Sequence, residues 1–256
     1  LAIHTEEHCS KVHLNFGQKT LIISKAHKKF LIIEQKCVHL QLKVNGQQNL
    51  KQNKINKKFV YLISPEKIEN EKFYTNLALV LSSGKVSFFQ LRLKKETSLN
   101  KLIIGKKIKK ICKKYKVKFL INDDPLLAKK LNTDGCHLGQ KDMDLIKARK
   151  ILKNKIIGIT CHNSINLAKR AIEAEADYLA FGAFYSSKTK IAKYKASLTI
   201  LKSVKKITSV PIVAIGGIKL NNYKKLLLNK ANFLAISGYI WNNKKYKPLE
   251  AIKKLK

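Results

Sequence analysis

Arginine is almost missing from this 256-residue chain. Of 53 basic residues only Arg92, Arg149 and Arg170 are arginine, so the other 50 are lysine. Acidic residues are also few, 16 in all, and the formal net charge is +37. A nucleic-acid binder clusters its cations on one face and uses arginine for bidentate contacts. Here lysine is spread over nearly every predicted helix, which reads as a solvated basic surface with weak, salt-sensitive affinity for polyanions. No specific nucleic-acid partner is expected. No apolar run approaches ~18 residues, so no membrane span is expected. No charged segment leads into a long apolar one near the start, so a secretory signal is not supported. Four prolines and eleven glycines exclude a collagenous or linker-dominated chain. The five cysteines form no CxxC pair, which argues against a disulfide framework or a zinc site and for a reducing, cytoplasmic setting. His8, Cys9 and His13 lie close together, but such a lone cluster is more often incidental than a metal site.

What is present is enough apolar sequence, 45% of residues, to build a core. Residues 1–57 hold short apolar pieces and end in the polar stretch Asn45–Lys58; they read as an N-terminal extension of uncertain status. From residue 58 the pattern changes. Eight short apolar or β-branched runs recur: Phe59–Ser64, Ser87–Leu93, Lys118–Asp123, Gly135–Gly139, Ile156–Cys161, Tyr178–Phe184, Pro211–Gly217 and Phe233–Tyr239. Helix-period segments lie between them. Ser98–Tyr115 carries Leu99, Leu102, Ile103, Ile108 and Ile111. Ser164–Ala174 opens on an N-cap serine and is expected to bury Ile165, Leu167, Ala168 and Ile172. Asn221–Leu228 and Leu249–Leu255 are shorter cases, and Asp124 before Pro125 reads as a helix start. Eight strands alternating with helices predict an α/β fold with a parallel sheet, closed as a (β/α)₈ TIM barrel over 58–256. An open doubly wound sheet should carry a glycine-rich turn after its first strand, and Pro65-Glu66-Lys67 supplies none.

In such a barrel the chemistry collects at the C-terminal strand ends. Alternation puts Gln90, Arg92 and Lys94 on one side of strand two, facing inward or upward. A polar trio there is costly without a ligand or internal partners. Asp123 ends strand three and Asp142 follows strand four, so the two should approach each other. Two carboxylates beside Arg and Lys suit a magnesium–pyrophosphate complex. Thr160 places a hydroxyl at the rim of strand five. Ser187, Thr189 and Lys190 belong to a hydroxyl- and lysine-rich loop after strand six. Gly217, Ile236 and Ser237 lie after strands seven and eight, where backbone amides form the usual barrel phosphate site.

These segments resemble the thiamine-phosphate synthase (thiamine-phosphate pyrophosphorylase) family. The matching pieces include Gln90-Leu91-Arg92-Leu93-Lys94, Ile121-Asn122-Asp123, Asp134-Gly135-Cys136-His137-Leu138-Gly139-Gln140-Lys141-Asp142, Ile157-Gly158-Ile159-Thr160, Thr189-Lys190 and Pro211-Ile212-Val213-Ala214-Ile215-Gly216-Gly217-Ile218, in family order. The resemblance implies joining of a hydroxymethylpyrimidine diphosphate to a hydroxyethylthiazole phosphate, giving thiamine phosphate and pyrophosphate. It implies a dissociative course in which pyrophosphate leaves first. Mg²⁺ would sit on Asp123 and Asp142. Arg92, Lys94, Asn122 and Lys190 would hold the leaving group, and Gln90 would orient the pyrimidine. Thr160 stands where the family usually has Ser. Ser187, Thr189, Gly217, Ile236 and Ser237 would hold the thiazole phosphate. Leu93 replaces a usual acidic residue, Asp124 stands where Arg is frequent, and Ala183, Ser186 and Lys188 replace prolines. The related thiazole tautomerase shares the fold but tends to lose the magnesium–pyrophosphate residues, which are all kept here. The sequence leaves a homo-oligomer open.

Overall fold

The computed structural model describes residues 58–186 and 193–256. Within them eight parallel strands close into a barrel in chain order. They are β1 Val60–Ile63, β2 Val86–Leu91, β3 Lys118–Asn122, β4 Gly135–Leu138, β5 Ile156–His162, β6 Tyr178–Phe181, β7 Ile212–Ile215 and β8 Phe233–Ile236. The helices are α1 Glu71–Ser82, α2 Ser98–Lys114, α3 Pro125–Leu131, α4 Leu145–Leu152, α5 Ile165–Glu173, α6 Leu198–Lys205, α7 Tyr223–Leu228, α8 Gly238–Trp241 and α9 Pro248–Lys254. Closure is made by β1 against β8, with Val60 opposite Leu234 and Leu62 opposite Ile236. The barrel and its strands therefore match the expected fold, although most strands stop one to three residues earlier. Strand eight ends at Ile236, because Gly238 and Tyr239 already belong to α8.

Side chains alternate across each strand. One parity packs outward against the helices: Val60, Leu62, Phe89, Leu91, Phe119, Ile121, Ile157, Leu179, Ile212 and Leu234 all join one large buried cluster. The other parity fills a separate cluster inside the barrel, with Tyr61, Ile63, Phe88, Leu120, Tyr178, Val213 and Phe233. Aromatic rings plug this interior. Phe88 packs edge-on against Phe233 at 5.1 Å between centroids and stacks on Tyr61 at 5.5 Å. The interior is thus a filled core that supports a polar layer above it.

Local signals set the helix starts. Thr97 accepts from the Asn100 amide, Asp124 from Leu127, Asp144 from Ile146 and Lys147, and Ser164 from Leu167. The expected cap at Ser164 and the start at Asp124–Pro125 are both present. The helix faces agree with expectation only in part, with Ala168 buried as expected. On α2 Leu99 and Ile103 are 65% and 50% exposed, and the buried face is Gly105, Ile108 and Cys112. On α5 Ala168 and Ala171 are buried, while Ile165, Leu167 and Ile172 are only partly covered. Gly105 lies where α2 meets α3, since a Cβ there would be 2.5 Å from Leu131 Cδ1. Among the described residues no helix is long and apolar enough to cross a membrane. The extension 1–57, with its His8-Cys9-His13 cluster, lies outside the described residues.

Candidate active site

The inward parity carries polar side chains at the C-terminal ends of β2 to β5. Gln90 is 3% exposed and donates through Nε2 to Asn122 Oδ1 at 2.7 Å. The expected inward Gln90 is therefore present, and Asn122 is its partner on the next strand. Just above the strand, the Arg92 amide donates to Ser64 Oγ at 2.9 Å, which ties the β2 end to the β1 end. Arg92 is half-buried. Among the described residues no carboxylate pairs with its guanidinium, so its donors are available to an anion. Lys94 is in a different state: Nζ lies 3.1 Å from Asp123 Oδ2.

Asp123 and Asp142 come together as expected. Burial pushes the Asp142 carboxyl up from its usual range, and its hydrogen bond with Asp123 pushes it the same way. The Gly139 amide, which donates to Asp142 Oδ2 at 2.7 Å, and Lys94 act in the opposite direction. Two adjoining carboxylates repel unless a proton or a cation lies between them. Among the described residues no three His, Cys, Asp or Glu side chains gather as a metal cage. A site of two carboxylates suits magnesium, which keeps waters and takes further oxygens from substrate phosphates. The pair thus fits the expected ion without showing it. Asp124 takes no part, because its carboxylate caps α3. Beside Asp123 a cavity of about 290 Å³ is lined by Lys94, Lys101, Asn122, Asp123 and Asp124 together with apolar side chains of β2, β3 and α3.

Thr160 does stand at the rim of β5, but not as a free hydroxyl. Its Oγ1 lies 2.9 Å from His137 Nε2, and its carbonyl accepts from Gln140 Nε2 at 2.6 Å. His137 Nδ1 lies 2.8 Å from the Tyr178 hydroxyl, which lies 2.8 Å from the Tyr61 hydroxyl. Sequence reasoning assigned no role to His137, Tyr178 or Tyr61. The available signal was parity: His137 is two residues after Gly135 and so faces inward beside Thr160. Lys101, one turn into α2, was missed for want of any signal that separates it from the other lysines.

On the far side, Gly217 has φ +58, and an added Cβ would lie 2.4 Å from the Ser186 carbonyl oxygen. Only glycine fits there, and the β7 loop is thereby held against the root of the strand-six loop. The described ends of that loop are joined by the Ala183 amide donating to the Tyr194 carbonyl, and Tyr194 stacks on His162 at 4.1 Å. Ser187, Thr189 and Lys190 lie outside the described residues. Ile236 ends β8 and is buried. The Ser237 hydroxyl, expected to meet a phosphate, donates instead to the Ser64 carbonyl at 3.0 Å. Its single proton ties β8 to β1, so this residue has its backbone amide left to offer an anion.

Fold and site together define a parallel (β/α)₈ barrel enzyme with Arg92, Lys94, Asp123 and Asp142 gathered at its mouth. Residues 60–240 match the family model described as thiamine monophosphate synthase. The thiamine-phosphate synthase of Pelagibacter ubique (strain HTCC1062) is 86% identical over 207 residues, 81% of this chain and all of that protein. That of Nitrosomonas eutropha is 39% identical over 184 residues, 72% of this chain and 86% of that protein. Among solved structures, a thiamine phosphate pyrophosphorylase from Pyrococcus furiosus superposes with a TM-score of 0.68 at 25% identity, covering 78% of this chain and 94% of that one. The chain belongs to the thiamine monophosphate synthase family.

Proposed function

We propose that this protein is a thiamine-phosphate synthase. It joins 4-amino-5-hydroxymethyl-2-methylpyrimidine diphosphate to 4-methyl-5-hydroxyethylthiazole phosphate and releases pyrophosphate. The observation that carries the reading is the Asp123–Asp142 pair beside Lys94, with an unpaired Arg92 at the same mouth. The mouth offers what a leaving pyrophosphate needs, namely hard oxygen ligands for a divalent ion and cations for the phosphate oxygens. When bound, Mg²⁺ supplies charge neutralisation for the leaving group. Asp123 and Asp142 would hold it. Arg92, Asn122 and Lys190 would take phosphate oxygens, with Lys94 moving between Asp123 and the phosphate. Aimed at charge that develops as the C–O bond breaks, such groups lower the barrier to departure. The pyrimidine-methyl carbon then meets the thiazole nitrogen, which the strand-seven and strand-eight amides of Gly217, Ile236 and Ser237 position through the thiazole phosphate, bordered by Ser187 and Thr189. Two substrates held in one closed pocket make the capture effectively unimolecular.

The test is thiamine phosphate formation by purified protein given both substrates, with and without magnesium. Product is expected only with magnesium. Asp123→Asn is expected to lower kcat by about 10²–10³-fold while the far-UV spectrum stays native. Folded protein that binds the thiazole phosphate but forms no product would overturn the reading in favour of a tautomerase-type barrel.

A further inference from the structure

α2 carries a lysine on the side it turns to the barrel. Lys101, Gly105, Ile108 and Cys112 follow the i, i+4, i+7, i+11 spacing of one helix face, and the last three are buried. Lys101 therefore faces the barrel too, at the end of α2 nearest the mouth, and it is partly buried. Among the described residues no acceptor and no carboxylate engages its ammonium; only its backbone amide is paired, with the Thr97 carbonyl. Holding a cation against a protein wall without a partner is unfavourable, so this ammonium is placed to receive an anion from outside. The register of α2, visible only in the fold, separates this lysine from the exposed ones.

The space it lines is the cavity beside Asp123. Away from the mouth, α2 and α3 meet at Gly105 and Leu131. One turn nearer the mouth, Lys101 and Leu127 border the cavity from the two helices. Its apolar wall is Leu91, Leu93, Ile121 and Leu127, all members of the cluster outside the barrel. It is thus a side chamber, separate from the interior into which Gln90 points. Lys94, Asn122 and Asp123 line it as well, so the chamber joins the mouth where the diphosphate is expected. Its carboxylates are engaged, since Asp124 caps α3 and Asp123 is paired with Lys94. Lys101 is the uncommitted charge among the described residues of the chamber. A ligand whose far end enters there must be anionic at that end. A diphosphate ester is, because its terminal phosphate carries the extra charge and lies farthest from the pyrimidine.

We propose that Lys101 is a further substrate-binding residue, which takes the terminal phosphate of the pyrimidine diphosphate, and then of the released pyrophosphate, in the chamber between α2 and α3. The proposal rests on the synthase reading. Lys101 thereby favours a diphosphate over the corresponding monophosphate, whose single phosphate stays at the mouth with Arg92 and Lys94. The contact is a charge-assisted hydrogen bond, the strong kind.

The first test needs no turnover. Inorganic pyrophosphate, with magnesium present, is titrated calorimetrically into wild type and Lys101→Met, and the variant should bind about 10–100-fold more weakly. Lys106→Met removes an exposed charge from the same helix and should bind as wild type does, which separates a contact from the general charge of the molecule. The second test is kinetic. Lys101→Met should raise KM for the pyrimidine diphosphate by a similar factor, while KM for the thiazole phosphate and inhibition by the pyrimidine monophosphate stay unchanged. Lys101→Arg should keep most of the affinity. Equal pyrophosphate binding by wild type and Lys101→Met overturns the proposal, as does an equal loss in Lys106→Met or wild type that binds no pyrophosphate. If Lys101→Met fails to fold, Lys101→Gln is read in its place. A loss confined to Lys101 variants, in a wild type that forms no thiamine phosphate, would sink the synthase reading and leave Lys101 as an anion site.

Discussion

Burial holds the His137 imidazole down to about 4, with Asp142 pulling it up and Arg92 pushing it further down. In an unfolded chain the same ring titrates near its ordinary value of about 6.5. Between those values the unfolded chain binds a proton that the folded protein refuses. Stability contributed by neutral His137 is therefore intact above about 6.5 and is lost as pH falls toward about 4. Melting temperatures of wild type and His137→Asn, measured from pH 7 to pH 4.5, should show the steeper loss in wild type. Parallel curves would show that the ring is protonated in the fold. The residue scale also marks how far the sequence could be read. Alternation placed Gln90 inward, and the neighbouring ends of strands three and four brought Asp123 near Asp142. It could not reveal that His137 meets Tyr178, 41 residues away on another strand. A hydrogen bond of that range depends on barrel closure and on the missing side chain at Gly158. Nor could composition show that the Ser237 hydroxyl is turned to Ser64.

At the level of elements, a device recurs at the lower rim of the barrel. The residue before β4, Asp134, accepts from the Phe119 amide of β3 and donates its own amide to the Phe119 carbonyl. Asp177, before β6, makes the same two bonds with Ile157 of β5, and Asn232, before β8, makes them with Ile212 of β7. Each side chain extends a parallel ladder by one more bond, satisfying an amide at the strand start. Asp177 also holds Arg149, whose Nη2 lies 2.6 Å from its Oδ2 and whose Nη1 binds the Lys153 and Lys155 carbonyls after α4. Asp177→Ala leaves a half-buried guanidinium and a strand amide short of partners. It should cost about 2 kcal/mol, read as a melting temperature lower by about 4–8 °C. Turnover at 25 °C should be unchanged, because the clasp lies at the end opposite the mouth; a large loss of kcat in folded protein would contradict that separation. Strands were legible because their apolar runs stand out from a lysine-rich background. Helix faces were harder, since α2 and α5 bury glycine, alanine and cysteine where the sequence draws the eye to leucine and isoleucine.

For the molecule as a whole the decisive quantity is charge, +37 over 256 residues. Among the described residues its placement follows from the fold. In a (β/α)₈ barrel every strand points to the mouth and every helix points away from it, so helix C-termini surround the opposite end. The last turns carry Lys113 and Lys114, Lys129 and Lys130, Lys150, Lys202 and Lys205, and Lys253 and Lys254. Cations there complement the helix dipoles. The result is a basic ring around the end away from the mouth, made mostly of lysines, in ones and twos on separate helices, with Arg149 of α4 held by Asp177 and Arg170 on α5. Such a ring attracts polyanions through counterion release, with few of the bidentate arginines that read sequence or shape. Binding of a long polyanion such as heparin should fall by about a thousandfold between roughly 50 and 200 mM salt. At low salt the bound polyanion should leave the KM for the pyrimidine diphosphate unaltered, because the ring and the mouth lie at opposite ends. Competitive inhibition would instead place the polyanion on Arg92 and Lys94. Binding that persisted at 200 mM would mean a shaped surface, and lysine spread over the helices would then have a partner of its own.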